Sequence, residues 1–482
     1  MPILPELGVG ITYFPDVEPL LDVPGLLDVV EVEPQTLWQE TGLADAPYRV
    51  HRGVLDALAN LPCNKLVHSV GVPVGGSVRP EPSQLSLLRK TIDRLQAPWA
   101  SEHLSFNRTP EHSTGFFLPP RQTQAGVVAA TESIRILQEA FAVPVAVETG
   151  VNYLRPREDE MGDGEFVRAV AESADCGILL DLHNVFANGL NGRQPMDAFF
   201  DELPLDRVWE VHIAGGFELE GYWVDAHSGA IPDELLIAAE NLIAQLPNLK
   251  AIIFEIFPSF LPLVGLDLVR GQLETIRGLW EARGTKSEAA SKPRTRSRLR
   301  DLSPSPQAWE RALGSLVVGR SPGDALEEDL ASDPGVGLIN RMACEFRASM
   351  VVNVYRLTSR LLMLSLGPDT FRTILEDYWS QWPPQLYASA EAEGFIGYLV
   401  DLDLAVPHLA AVIRYERALA ATLMDGEARV VSFSQDPFPV LRSLAEAKLP
   451  DIGSQDGDFE IEITPGELFE QGFVVGSPGR QH

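Results

Sequence analysis

Cysteine is scarce in this sequence. There are three in 482 residues, Cys63, Cys176 and Cys344, odd in number and far apart. That excludes a disulfide framework and a thiolate-held zinc or iron–sulfur site, and each reads as a small buried apolar residue. Positive charge is also in deficit: 38 Lys and Arg face 68 Asp and Glu, a formal net charge of −30. A nucleic-acid binder needs a basic surface to neutralise phosphates, so no nucleic-acid partner is expected. The one basic cluster, SKPRTRSRLR at 291–300, lies in Ser/Pro-rich sequence of linker character. Long apolar runs are missing too. None reaches the roughly 18 residues of a membrane span, so no membrane partner is expected. The opening stretch MPILPELGVGITYFPD has neither a basic start nor a long apolar core. No signal peptide is expected, and with so little cysteine a cytoplasmic location is.

What is present is a globular composition, 45% apolar and 22% charged, in a chain long enough for two or three domains. Short β-branched runs, apolar on both faces, recur at 8–14, 29–34, 65–71, 99–106, 145–150, 177–184, 208–215 and 251–257. Helical patterns lie between them, as at 121–142, 164–174, 232–246 and 265–283. Strand–helix alternation with doubly covered strands implies a parallel sheet. Eight such units predict an α/β fold, a TIM-type (β/α)8 barrel over residues 1–284. A doubly wound open sheet competes, but no glycine-rich phosphate fingerprint follows the first strand. Residues 285–305 read as a linker. Beyond it, helical segments at 339–365, 368–381, 387–400 and 404–424 precede strand-like alternation at 428–435 and 458–465. This predicts a smaller, mainly helical α+β domain over 306–475 and a disordered tail at 476–482.

Chemistry in such a barrel sits at the C-terminal ends of the strands. There stand His68, then Glu102 and His103, then Glu148, then Asp181, His183 and Asn184, then His212, and finally Glu255. The loop after the seventh strand adds Asp225 and His227. Five of the nine histidines of the chain fall here, beside carboxylates. One strand-end histidine alone would read as a satisfied core residue. Four acids facing one mouth without Lys or Arg would repel, and divalent cations resolve this. Side chains alternate along a strand, so Asp181 and His183 are expected to share a face and reach one cavity. Glu102 and His103 should point oppositely, so at most one of them ligates. A pool of imidazoles and carboxylates without thiolate suits iron, zinc, manganese or cobalt. It is too large for one tetrahedral zinc and suggests two or three bridged ions.

These residues resemble the multinuclear non-heme iron-dependent oxidases, the family of the iron oxidase of methanobactin biosynthesis. The stretches that carry the resemblance are LVHSVGVPVG (66–75), WASEHLSF (99–106), VAVETGVNYL (145–154), GILLDLHNVFANG (177–189), EVHIAGG (210–216), VDAHSGAIPD (224–233) and IIFEIFP (252–258), in family order. The resemblance implies a barrel holding two or three irons of mixed Fe(II)/Fe(III) state, with dioxygen as co-substrate. It maps ligands onto His68, His103, Glu148, Asp181, His212, Asp225, His227 and Glu255. It implies oxidation of a ribosomally made precursor peptide, at a cysteine or a residue near one. Many members look like D-x-N-N where this chain has D-x-H-N, so His183 stands where asparagine is expected. An imidazole ligates better than a carboxamide, and His183 is expected to touch a metal. Glu148, Asp181, His183 and Asn184 are the expected catalytic group, with Glu33 and Asn184 as candidates for orienting substrate and Asn152 and Tyr153 for lining the cavity. Segments 371–399 and 428–444 look like the separate protein that presents the precursor peptide to such oxidases, which implies a fusion whose C-terminal domain binds the peptide.

Two other readings compete. One is a zinc- or manganese-dependent barrel hydrolase or isomerase; the acidic charge opposes a nuclease, and no lysine stands at a strand end for a sugar isomerase. The other is a non-catalytic peptide-binding scaffold with structural metals, which the surplus of ligands disfavours.

Overall fold

The computed structural model describes residues 2–41, 47–50, 52–283, 304–451 and 456–465. The chain divides into two compact units. The first comprises residues 1–37, 53–111 and 116–340, and the second 38–52, 112–115 and 341–482.

The first unit is the expected barrel. Its strands are β1 (Gly8–Thr12), β2 (Val29–Val32), β3 (Asn64–Ser69), β4 (Ala100–His103), β5 (Val145–Glu148), β6 (Gly177–Asp181), β7 (Val208–Ala214) and β8 (Ala251–Glu255). Each pairs in parallel with its neighbours in sequence, and β8 closes on β1. The strands are short and buried on both faces, as crossover helices require. The bottom of the barrel is filled by Val29, Leu66, Trp99, Ala146, Leu179, Ala251 and Ile253, joined by Leu4 and Leu7 from the N-terminal segment.

That plug decides which side chains enter the mouth. Residues two apart on a strand share a face. Val29 is followed at that spacing by Glu31, Leu66 by His68, Ala146 by Glu148, Leu179 by Asp181 and Ile253 by Glu255. On β7 the pairing register skips Trp209, so that Glu210 and His212 face Leu179 and Asp181 of β6. The inner face is thus apolar at the bottom and acidic or imidazole-bearing above.

The sixth strand is shorter than expected. It stops at Asp181, whose carboxylate accepts the Asn184 N–H and caps a helix over Leu182–Leu190. A side-chain oxygen that satisfies an orphan amide makes Asp181 a helix cap as well as a strand end.

The connections are locked by buried ions. Arg193, 8% exposed, donates to Asp163 at 2.6 Å, the Gln122 amide oxygen at 2.8 Å, the Leu154 carbonyl at 2.8 Å and Glu160 at 3.1 Å. This ties the segment after β5 to the helices beside it. Residues 306–340 also group with the barrel. Ser305 caps the helix Pro306–Val317, which buries Trp309, Leu313 and Val317. The Trp309 indole donates to the Pro119 carbonyl at 3.0 Å beneath the Arg121 guanidinium. The linker expected at 285–305 and the tail at 476–482 fall almost wholly or wholly outside the described residues.

The second unit is mainly helical, with helices at Arg356–Leu366, Pro368–Gln381, Ala388–Leu402 and Leu409–Asp425 around Leu362, Phe371, Tyr378, Phe395 and Val412. Its hairpin, Arg429–Gln435 with Asp456–Ile463, alternates as expected: Val431, Phe433 and Ile463 pack against Ala411, Tyr415 and Leu419 of the last of these helices, while Val430 faces outward. Among the described residues no helix is long and apolar enough to cross a membrane.

Removing one member of a buried ion cluster leaves uncompensated charge. Arg193→Ala is expected to cost about 3–5 kcal/mol. The check is the denaturant midpoint of the barrel's unfolding, followed by tryptophan fluorescence.

Candidate metal centre

The strand ends converge. Glu148 stands at the middle of the mouth. Its Oε2 is 2.9 Å from His103 Nε2 and 3.3 Å from His68 Nε2, and its Oε1 is 3.8 Å from His212 Nδ1. Glu255 Oε2 lies 3.2 Å from His212 Nδ1 and 3.5 Å from His227 Nε2. His227 Nε2 in turn is 2.9 Å from Asp225 Oδ1. Among the described residues, ligand atoms cluster within 4.8 Å as His68–His103–Glu148, as Glu148–Asp181–His212–Glu255, and as Glu31–Glu210–His212. Glu148 belongs to the first two groups, turning one oxygen toward each. A carboxylate so placed can bridge two cations.

Asp225 and His227 arrive from the segment after a small hairpin, Phe217–Leu219 with Tyr222–Val224. Asn184 holds Asp181: its backbone N–H donates to Oδ1 at 2.8 Å and its side-chain amide to Oδ2 at 3.0 Å. Glu102 is turned out of the mouth and accepts from Ser69 Oγ at 2.6 Å, Val72 N at 3.0 Å and His103 N at 2.8 Å. Asn152 caps its own loop by accepting the Leu154 N–H. The Tyr153 hydroxyl accepts the Asp225 N–H at 3.0 Å.

His183 departs from the expectation. Because the strand ends at Asp181, His183 lies on the first turn of a helix, where successive side chains rotate by about 100° rather than alternate. Like Asp225 and His227, it enters none of the three groups, so its role is read from its own contacts. Nδ1 meets Asp225 Oδ1 at 3.1 Å, and Nε2 accepts from the Trp223 indole N–H at 2.9 Å.

Glu31 and Glu210 were not among the expected residues. Both are fully buried one step deeper, with Glu31 Oε1 3.0 Å from His212 Nε2 and Glu210 accepting from Trp99 Nε1 at 2.9 Å. The signal for them was the same parity: each lies two residues before a polar mouth position, Glu33 and His212.

Among the described residues, the ion-pair partners of the mouth carboxylates are imidazoles. Burial opposes charging the His103 ring, yet Glu148 and Glu102 hold its pKa well above the ordinary value. Burial likewise opposes His227, which Asp225 and Glu255 nonetheless raise to about 10. For Glu148 burial acts upward, but His103 and His68 hold its carboxyl well below the usual range. Asp181 is pushed well above it by burial and then by Asp225, Glu255 and Glu148. Burial raises Glu33 as well, with Glu255 and Glu31 adding to the rise and His68 opposing it.

The donor set fits metal ions. Glu148 Oε2, His212 Nδ1, His227 Nε2 and Glu255 Oε2 are buried and form no well-aligned hydrogen bond, though each lies 2.9–3.5 Å from an oppositely charged partner. Unpaired buried polar atoms are costly. A cation would satisfy these lone pairs together and relieve the repulsion felt at Asp181. Phe117 stacks on the His103 ring at 4.2 Å between centroids and Phe257 lies 4.5 Å from the His227 ring, so aromatic carbon covers the two outermost imidazoles.

Residues 9–260 match the family model described as RiPP precursor modification enzyme MbnB/TglH/ChrH, a span that contains every strand-end residue named above. The chain is similar to a "UPF0276 protein" of Chromobacterium violaceum, 34% identical over 169 residues, covering 35% of this chain and 61% of that one. It is also similar to a "UPF0276 protein" of Streptomyces avermitilis, 30% identical over 251 residues, covering 50% of this chain and 49% of that one. The chain thus spans about half to three fifths of the curated relatives it matches. A solved xylose isomerase domain protein from Planctomyces limnophilus is 12% identical, with a TM-score of 0.37 over 57% of this chain and 98% of that one.

Glu148→Ala removes a donor from two groups at once. Metal analysis of the purified variant is expected to show at least one bound ion fewer per chain; unchanged content would contradict the shared role of Glu148. Asn184→Ala, which frees Asp181 Oδ2 and the Thr149 carbonyl but keeps the backbone bond to Oδ1, should weaken affinity by about 10–100-fold without lowering the count at saturation.

Proposed function

We propose, on the premise that the chain belongs to the RiPP precursor modification enzyme family MbnB/TglH/ChrH, that it is an iron- and dioxygen-dependent enzyme that oxidises a ribosomally made precursor peptide. The observation that carries the metal part is Glu148, one carboxylate facing two groups of buried lone pairs. His68, His103, Glu148, Asp181, His212, Asp225, His227 and Glu255 would hold two or three irons. Bound iron would supply redox chemistry toward dioxygen and the peptide.

The chain's own residues do the rest. Asn184 holds both oxygens of Asp181, and Tyr153 fixes the main chain at Asp225. Phe117 and Phe257 each pack against one face of an outer imidazole and limit how its ring can turn. Glu33, just past the end of β2, would orient a substrate donor entering the mouth. Carboxylate and imidazole without thiolate favour a hard or borderline ion, in keeping with iron. A sugar-isomerase reading would want a lysine at the mouth. Lys65 instead lies at the start of β3, its Nζ on the Leu61 carbonyl at 2.6 Å.

The peptide would be recognised by the second unit. Its hairpin has only two strands, and an extended peptide can add to such an edge by main-chain hydrogen bonds. Tethering the peptide to the same chain would raise its effective concentration at the barrel.

The test is anaerobic purification, loading with Fe(II), and exposure to dioxygen with a candidate precursor encoded beside the gene. The expected outcome is a defined mass shift of the peptide with matching oxygen uptake, lowered by at least about 100-fold in Glu148→Ala. Stoichiometric zinc, with no peptide change after iron and dioxygen, would remove the oxidase reading. A chain ending at residue 340, which retains the helices that group with the barrel, is expected to load iron yet bind the precursor at least about tenfold more weakly, a loss of roughly 1.4 kcal/mol. Equal binding would assign recognition to the barrel.

A further inference from the structure

The histidine at 183 is a departure from the D-x-N-N pattern, and its surroundings define what it can do. A neutral imidazole has one donor nitrogen and one acceptor nitrogen. Trp223 has only an N–H to give, and it gives it to Nε2 at 2.9 Å. Nε2 is therefore the acceptor and Nδ1 carries the proton. That proton points at Asp225 Oδ1, 3.1 Å away. A ring held this way has no lone pair left for a metal. Ligation through Nδ1 would require an imidazolate, and ligation through Nε2 would require breaking the indole bond.

The contact is built into the fold at both ends. Asn191, at the C-terminal end of the helix that carries His183, donates to the Trp223 carbonyl at 2.9 Å and accepts the Trp223 N–H at 2.8 Å. Phe186 of that helix packs edge-on against the Trp223 ring at 5.9 Å. The hairpin also needs glycine at 216. A Cβ there would fall 2.4 Å from His183 Nε2, 2.5 Å from the Val224 carbonyl and 2.7 Å from Trp223 Nε1. Asp225 is then held twice, at its main chain by the Tyr153 hydroxyl and at its carboxylate by His183.

We propose that His183 is a positioning residue: with its tautomer set by Trp223, it donates to Asp225 and aims that carboxylate at the metal centre, and it is not itself a ligand. This rests on the metal-centre reading above, but not on the identity of the metal or on the reaction. The hydrogen bond to a carboxylate ligand is the kind of outer contact whose loss lowers metal affinity by about 10–100-fold.

The experiment titrates the full chain, freed of metal, with cobalt(II), and follows its visible spectrum and the number of ions bound at saturation. His183→Asn keeps an N–H donor and is expected to bind the same number of ions with a wild-type spectrum, within about threefold in affinity. His183→Leu removes the donor and should bind the same number about 10–100-fold more weakly. Trp223→Phe leaves the imidazole but frees its tautomer, and should fall between them. His212→Ala serves as the control for loss of a ligand. A missing ion or an altered cobalt spectrum in His183→Asn, matching His212→Ala, would make His183 a ligand and overturn the proposal. Wild-type affinity in His183→Leu would overturn it too, since the bond would then do nothing. Should His183→Leu fail to fold, as judged by its thermal melt, wild-type affinity in Trp223→Phe decides against the proposal and weakened affinity in its favour. A wild-type chain that binds neither cobalt nor iron would end the metal-centre reading and this one with it. Metal binding without peptide oxidation would remove the proposed reaction alone.

Discussion

The structure depends on one electrostatic constraint. Glu148, Asp181, Asp225 and Glu255 lie together in a space from which water is largely excluded. Ionised carboxylates are not buried without partners. For Glu148, Asp225 and Glu255 the ion-pair partners are histidines, whereas Asp181 is held by Asn184. Imidazole can yield its proton to a metal at neutral pH, which arginine cannot. A mouth balanced by histidine is therefore exchangeable: protons hold it together when empty and cations can replace them. Asp181, the one acid whose own pKa is driven strongly upward at the mouth, marks where the negative field is least relieved.

Holding such a group in place falls to residues that touch no common ligand point. Glu102 turns away and pins the loop after β3 through Ser69 and Val72. Asn184 and His183 each fix one carboxylate from the first turn of the helix after β6. Further out, Arg193 gathers Gln122, Leu154, Glu160 and Asp163, so the loop that carries Tyr153 is anchored by a buried charge rather than by contact area alone. Asp333 accepts the Arg155 N–H at 2.9 Å, which brings residues beyond 303 into the same scaffold. This is the physical sense in which residues 306–340 belong with the barrel.

The second unit is built on a different principle. Its core is aromatic and aliphatic, centred on Tyr378 and Phe395, and its buried charges are paired locally. Arg347 donates to Glu391 at 2.7 Å and to the Trp382 carbonyl at 3.0 Å. Its hairpin covers one helix with one face and leaves the other open. Among the described residues of this unit no cluster resembles the histidine-balanced mouth.

The sequence by itself determined the barrel and the inner face of its strands. Both follow from local rules: β-branched runs covered on two sides, and a period of two that carries Leu66 to His68 and Ala146 to Glu148. Glu31 and Glu210 obey that same rule, but an acid inside an apolar run reads as an isolated exception. Only the tertiary structure decided the rest. Asp181 ends its strand because its side chain caps a helix, and that single event moves His183 off the shared face and toward Trp223. Which nitrogen of an imidazole is free depends on a partner 40 residues away in sequence, and no periodicity encodes that. The same holds for the helix at 306–317, which reads as the start of another domain until Trp309 is seen beneath Arg121. Side-chain direction along one strand is a local property; the partner that takes a lone pair is set by the packing of distant segments.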